Sequence, residues 1–207
     1  MRQVKIICLM LALTTVLIMG TGLQSAHAVF EMTVDSVVIQ DNGTGDFRSE
    51  VGVIGYTSSI GTVVGSSIGS LTYPELNLSP VISATGSFDI WLTLTDIGPS
   101  SGVVETTASF NGASAASFTS YVDLSNSLYG TSTTTGSITG LTGNDTSSPL
   151  TLTSPYSMTA KASITNTSGI ASGALNVQVV PEPISSTLFI IGGAVMGGRL
   201  YRRRKRA

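Results

Sequence analysis

The sequence predicts an all-β fold. We expect an antiparallel β-sandwich of jelly-roll or Ig-like type over residues 29–180, flanked by an N-terminal signal helix and a C-terminal transmembrane helix. Three observations lead there. Residues 29–180 hold 27 Ser, 23 Thr and 17 Gly but only one Lys, one Arg and two Gln, so helix formers are scarce. Their apolar residues recur at every second position. Uncharged apolar runs are confined to the two ends.

The elements follow in order. Phe30, Met32, Val34 and Val38 share one parity, opposite Glu31, Thr33 and Asp35. Phe88, Ile90, Leu92 and Leu94 share a face opposite Ser87, Asp89, Trp91, Thr93 and Thr95. Met158, Ala160, Ala162 and Ile164 oppose Thr159, Lys161, Ser163 and Thr165, and Leu175, Val177 and Val179 oppose Asn176 and Gln178. One face of each run is dry and the other wet. Turn signals stand at Asp41-Asn42-Gly43, Gly98-Pro99, Asn111-Gly112, Gly143-Asn144-Asp145 and Ser168-Gly169. No helix of ten or more residues is expected in this region. The stretch Tyr129–Ser148, with its Thr131–Thr135 run, also reads as a disordered Ser/Thr stalk.

The ends are delivery signals. Residues 1–28 have a basic start (Arg2, Lys5), an apolar run from Ile6 to Gly20 broken by Thr14 and Thr15, and Ala26-His27-Ala28 as a small-x-small cleavage site. At the other end stand Val180, Pro181, Glu182 and Pro183, then an apolar segment over 184–201, then the basic cluster Arg202, Arg203, Arg204, Lys205 and Arg206. Eighteen residues of helix cover about 27 Å, enough for a hydrocarbon core. Arg199 lies one turn from the end of the span, where its stem reaches the headgroups. The basic cluster belongs on the cytoplasmic side.

A Pro-Glu-Pro motif, a short apolar helix and a terminal Arg cluster, in that order, resemble a PEP-CTERM sorting signal. The resemblance covers residues 180–206. It implies a Gram-negative envelope and recognition at Pro181-Glu182-Pro183 by an exosortase. It also implies transient inner-membrane anchoring, removal of the tail, and association with exopolysaccharide and biofilm. A plain single-pass anchor is the alternative.

Charge and rare residues narrow the chemistry. The net charge of −2 averages a basic start, an acidic 29–180 with 11 acids against two bases, and a basic tail. An acidic folded part excludes an ordinary nucleic-acid binder. The one Cys (Cys8) and the one His (His27) both lie in the signal segment. Once that is removed, the protein has no thiolate nucleophile, no His-based triad and no His or Cys zinc ligands. No cofactor is expected. A glycan hydrolase would need two carboxyls about 5–10 Å apart, and Asp89 and Asp96 are the strand-borne candidates. Lys161 and Ser163 point the same way on a strand as a conceivable Ser-Lys pair. Asp41 and Asp46, in an Asx-Gly turn followed by Glu50, are a weak calcium candidate. Thr-x-Thr at 93–95, 133–135 and 151–153 lacks the regular spacing an ice-binding face requires. Asn42, Asn77, Asn144 and Asn166 each begin an Asn-x-Ser/Thr pattern.

Trp91 is the single residue that most suggests binding. It falls on the wet parity beside Asp89, as a platform for a sugar ring would. The sequence therefore points to a non-enzymatic exported surface or matrix protein. A carbohydrate-binding module using Trp91 is the alternative, and a carboxylate-based glycan hydrolase the remote one.

Overall fold

The computed structural model describes residues 28–70, 72–152 and 155–181. The expected signal segment up to residue 27 and the expected tail from Glu182 onward lie outside them.

The regular elements among the described residues are all strands: β1 (Phe30–Val34), β2 (Val37–Gln40), β3 (Val53–Ser58), β4 (Gly61–Gly69), β5 (Pro74–Ile82), β6 (Gly86–Ile97), β7 (Ser100–Asn111), β8 (Ala115–Asp123), β9 (Thr133–Thr139), β10 (Thr142–Thr146), β11 (Leu150–Leu152), β12 (Tyr156–Asn166) and β13 (Ala171–Pro181). They form two antiparallel sheets. The first has the order β2-β1-β6-β12-β8-β9; the second has β10-β7-β13-β5-β4-β3, with β11 also on β7. The connectivity is that of a folded ribbon. β5 pairs with β13 in one sheet while their chain neighbours β6 and β12 pair in the other. β7 then adds to β13 and β8 to β12, and β10 and β9 close the two edges.

The alternation places the core. Phe30, Met32, Val34, Phe88, Ile90, Leu92, Leu94, Met158, Ala160, Ala162 and Ile164 all turn inward from the first sheet. Leu175, Val177 and Val179 meet them from the second. Contacts run directly between the sheets. Phe110 and Phe118 lie 5.1 Å apart, and Gly65 gives Leu92 its room. Polar groups that cross the core are paired, as burial requires. The hydroxyls of Ser100 and Tyr156 share a hydrogen bond at 3.0 Å. Ser120 bonds both Thr106 at 2.7 Å and Thr135 at 2.9 Å, in a buried three-hydroxyl chain.

Several expectations need correction. Val38 is 54% exposed, because Asp35 and Ser36 turn the chain with positive φ and β2 folds back on β1, breaking the run's parity. Glu31, Thr93, Thr95 and Thr159 were expected to be wet but are buried. Gln40 donates to Glu31 at 3.1 Å, and the β8–β9 loop lies across Thr93. Gly143-Asn144-Asp145 is not a turn: it lies inside β10, and the chain reverses at Gly140-Leu141 instead. The stalk reading fails for the same reason, since 133–139 and 142–146 pair as edge strands. The turns at Gly98-Pro99 and Ser168-Gly169 stand between strands as expected, and at Asn111-Gly112 the turn begins on the last residue of β7. Thr93, Thr95 and Thr135 are buried, so they form no exposed threonine ladder. Asn166 is 1% exposed and its amide donates to the carbonyls of Ala84 and Gly169, so this sequon is closed to modification in the folded protein.

The β8–β9 loop hangs on Asp123. Its carboxylate accepts the Ser125 hydroxyl at 2.6 Å and the backbone N–H groups of Ser125 and Ser127. The Ser125 hydroxyl, helped by Ser132 and those N–H groups, holds the Asp123 carboxyl well below the usual carboxylate range. Asp123 is only 5% exposed, yet it sits at the sheet's rim, so desolvation loses to hydrogen bonding. The folded state thus favours the ionised form. Its stabilisation is complete above the ordinary Asp value of about 3.9 and is lost as pH falls below it. Thermal melts at pH 7 and pH 3 should show wild type losing more stability on acidification than Asp123→Asn, which has no carboxyl to protonate here. Equal losses would refute this role.

Candidate functional site

The outer face of the first sheet carries the one aromatic cluster found among the described residues on a solvent-facing sheet surface. Register builds it. Thr33 on β1, Trp91 on β6, Lys161 on β12 and Thr119 on β8 stand in one row. The next row brings Asp89 opposite Ser163, and the row on the other side brings Thr93, Thr159 and Tyr121 together. Side chains two apart on a strand share a face, so these rows form one surface.

Trp91 is half-buried. Its ring lies near-parallel to Tyr121 (15°, centroids 6.3 Å apart) and edge-on to Tyr129 (86°, 6.4 Å). Both are favourable arrangements of ring quadrupoles. Lys161 Nζ sits 4.6 Å from the Trp91 centroid and 3.1 Å from Asp89 Oδ2. Ser163 donates to Asp89 Oδ1 at 2.6 Å. Burial pushes the Asp89 carboxyl up, but the Ser163 hydroxyl and the Lys161 ammonium outweigh it, and the net effect is a lowered pKa. Beside Trp91 opens a depression of about 430 Å³, lined by Thr33, Asp35, Ser36, Ser87, Asp89 and Trp91.

Tyr129 closes one side. Thr33 Oγ1 donates to its hydroxyl at 2.6 Å, and its backbone N–H reaches Thr93 Oγ1. Burial, with the Glu31 carboxylate nearby, pushes the Tyr129 hydroxyl above its ordinary value and keeps it neutral. Its φ of 53° is unusual for a bulky side chain; Asn126 (57°) and Asp96 (56°) share the left-handed region, which Asn and Asp enter more readily. All three sit where the loop meets β6, and Asn126 clamps Asp96 through two bonds of 2.8 Å. The loop is thus held over β6 at some cost in backbone strain.

The other expected residues fare differently. Asp89 and Asp96 lie seven positions apart on one strand, roughly 23 Å, with opposite parity. They cannot act as a glycosidase pair. Lys161 and Ser163 do share a face, but both are spent on Asp89, which leaves no free base beside the hydroxyl. Asp41 and Asp46 serve their own loop. Asp41 Oδ2 accepts from the Gly52 N–H, and Asp46 accepts from the N–H groups of Asn42, Arg48 and Gly55. Among the described residues, no three His, Cys, Asp or Glu side chains group as metal ligands. The melting temperature is therefore expected to be unmoved by EDTA, while Asp46→Ala should cost about 1–3 kcal/mol from orphaned N–H groups. A drop in melting temperature on adding EDTA alone would reverse this assignment. Val180 is half-buried opposite Val103, Pro181 is exposed opposite Gly102, and Ala28 is half-buried. Ala26, Glu182, Pro183, Arg199, Arg202, Arg203, Arg204, Lys205 and Arg206 lie outside the described residues.

Sequence reasoning found Trp91 and Asp89 but not Tyr121 or Tyr129. No sequence signal links residues 30 and 38 positions apart; strand order and a loop crossing bring them together.

Fold and face together define an all-β, two-sheet protein with an aromatic and ionic cluster on one outer surface. No family model matches the chain, and no curated protein matches it.

Proposed function

We propose that this is a non-enzymatic exported surface protein, placed in the cell-surface or extracellular matrix by a PEP-CTERM-like tail. On this reading residues 1–28 direct export. The Pro181-Glu182-Pro183 motif is read by an exosortase, and residues 184–201 hold the chain in the inner membrane until processing. We read the domain as a jelly roll rather than an Ig-like sandwich; the folded-ribbon strand order supports that choice.

One observation carries the reading. β13 pairs on both sides in the middle of its sheet and ends at Pro181, the first residue of the motif. Pro181 is exposed. The last described strand thus carries the chain to the first residue of the sorting motif. A processing enzyme would meet Pro181 at the exposed end of β13, and cleavage after it would leave every described strand in place. Intact-mass analysis of the surface protein tests this. A chain starting at Val29 and ending near Pro181 is expected, with any hexose masses reporting glycosylation. A mass ending at Ala207 would overturn processing.

The absence of catalysis is part of the proposal. Its support is the way the carboxylates are occupied. Asp89 is ion-paired, Asp123 and Asp46 tie loops, and Asp96 is clamped by Asn126.

A further inference from the structure

We propose that the outer face of the first sheet is a binding site for neutral pyranose oligosaccharides, with Trp91 as the stacking platform, Tyr121 beside it, and Asp89 and Lys161 as the polar pair that reads hydroxyls. The site goes beyond delivery by the tail and does not depend on it.

The hydrophobic core does not account for the aromatic ring. Trp91 lies outside the hydrophobic core, on the face opposite Leu92 and Ile90. The rest of that face is largely Ser and Thr, and the outer face of the second sheet carries an amide and carboxylate ladder instead, with Asn176 bonded to Asn77 and Gln178 to Glu105. Trp91 stacks with Tyr121 and carries Lys161 over its ring, and the part of it that lines the depression is the apolar surface offered to the C–H face of a sugar. The depression of about 430 Å³ falls within the usual range of small-ligand sites, about 300–1,000 Å³.

The polar rim matches the rest of the sugar. Its acceptors are the Asp35 and Asp89 carboxylates and the hydroxyls of Thr33, Ser36 and Ser87. Lys161 supplies charged N–H donors from over the Trp91 ring, 4.6 Å from its centroid. Adjacent hydroxyls of a pyranose both donate and accept, so a carboxylate and an ammonium side by side suit them. Charge selects the class. Two carboxylates against one ammonium, in a region with 11 acids and two bases, repel polyuronates. Lys161 is also already paired with Asp89, so no free cation remains to attract an anion.

The site is preorganised, which lowers the entropy cost of binding. Lys161 is held by Asp89, Trp91 is wedged by Tyr129, and Tyr129 is fixed by Thr33 and a strained backbone. A loop that endures positive φ at Asn126 and Tyr129, beside another at Asp96 of β6, to pack a tyrosine against a half-buried tryptophan is hard to account for by stability alone.

Trp91 is the only tryptophan in the chain, so its emission reports this site alone. The full chain, in a detergent without a sugar headgroup, is titrated with tetrasaccharides of β-1,4-glucan, β-1,3-glucan, α-1,4-glucan and β-1,4-mannan. Tetramers of glucuronate and of glucosamine are run alongside. At least one neutral tetramer is expected to give a saturable change at or below millimolar concentration. Tyr121→Ala and Asp89→Asn should each weaken it at least about tenfold, a loss of about 1.4 kcal/mol. If a variant does not fold, the wild-type indole N–H resonance decides instead, and it must shift with the same saccharide. The proposal is overturned if no neutral tetramer moves either signal by about 10 mM. It is equally overturned if only the charged tetramers do, if both folded variants bind as wild type does, or if reducing ends are released on incubation. Binding in this titration, together with a surface-protein mass ending at Ala207, would sustain this site while refuting processing.

Discussion

Phe118→Ala is expected to destabilise the domain by about 3–5 kcal/mol, lowering its melting temperature by roughly 10–15 °C. Phe118 is wholly buried on β8 and meets Phe110 of β7 across the core at 5.1 Å. Removing the ring forfeits its transfer free energy and opens a cavity between two sheets whose backbones are fixed by ladder bonds on both sides. Phe47→Ala is the control. Phe47 is 53% exposed, so a change of about 0.5 kcal/mol is expected. Differential scanning calorimetry of the pair separates the cases, and similar melting temperatures would mean that the two sheets do not share one core.

Gly136→Ala should cost about 3 kcal/mol, although it adds one methyl group. A Cβ at Gly136 would run into the Thr106 and Ser120 side chains, which are hydrogen-bonded to each other in the core. Overpacking of this kind costs about 1–3 kcal/mol, and parting a buried hydroxyl pair adds about 1–3 kcal/mol. Gly140→Ala is the contrast. Its φ of 120° disfavours a side chain, but nothing lies within 4 Å, so about 1 kcal/mol is expected. Urea denaturation measures both. A smaller loss at Gly136 than at Gly140 would show that the three-hydroxyl chain is not rigid.

The reach of the sequence can be judged residue by residue. Period-two runs placed Leu92, Ile164 and Val177 inward correctly, because a strand's side chains alternate whatever the neighbouring strand is. They failed at Val38, where a two-residue reversal at Asp35-Ser36 reset the parity. They failed also at Thr93 and Thr159, which lie on the outward face but are covered by the β8–β9 loop. Alternation tells which side of a strand faces the sheet's partner; it does not tell what a distant loop will cover. The turn reading at Gly143-Asn144-Asp145 failed because Asp145 instead accepts the Ser137 N–H at 2.8 Å and pins β10 beside β9.

The Trp91 site shows the same division. Asp89 and Trp91 were legible together, being two apart on one strand. Lys161 was read with Ser163 on its own strand, but its pairing with Asp89 arises from the register between β6 and β12. Asp96, a sequence-level partner for Asp89, was separated from it by strand geometry. Asp41 and Asp46 were legible as an oxygen-rich turn, while the use of those oxygens on Gly52 and Gly55 needed the turn's closure on β3.

By itself the sequence determined the all-β class, the inward face of the long strands and the charge of the folded part, because each depends on residue type and local period. It also determined that no Cys or His remains after residue 27. Only the tertiary structure decided which carboxylates are occupied, where the loop from Leu124 to Ser132 lies, and that Tyr121, Tyr129 and Lys161 surround Trp91. Those facts depend on strand order and register between residues tens of positions apart, and on contacts whose partners no local period can name.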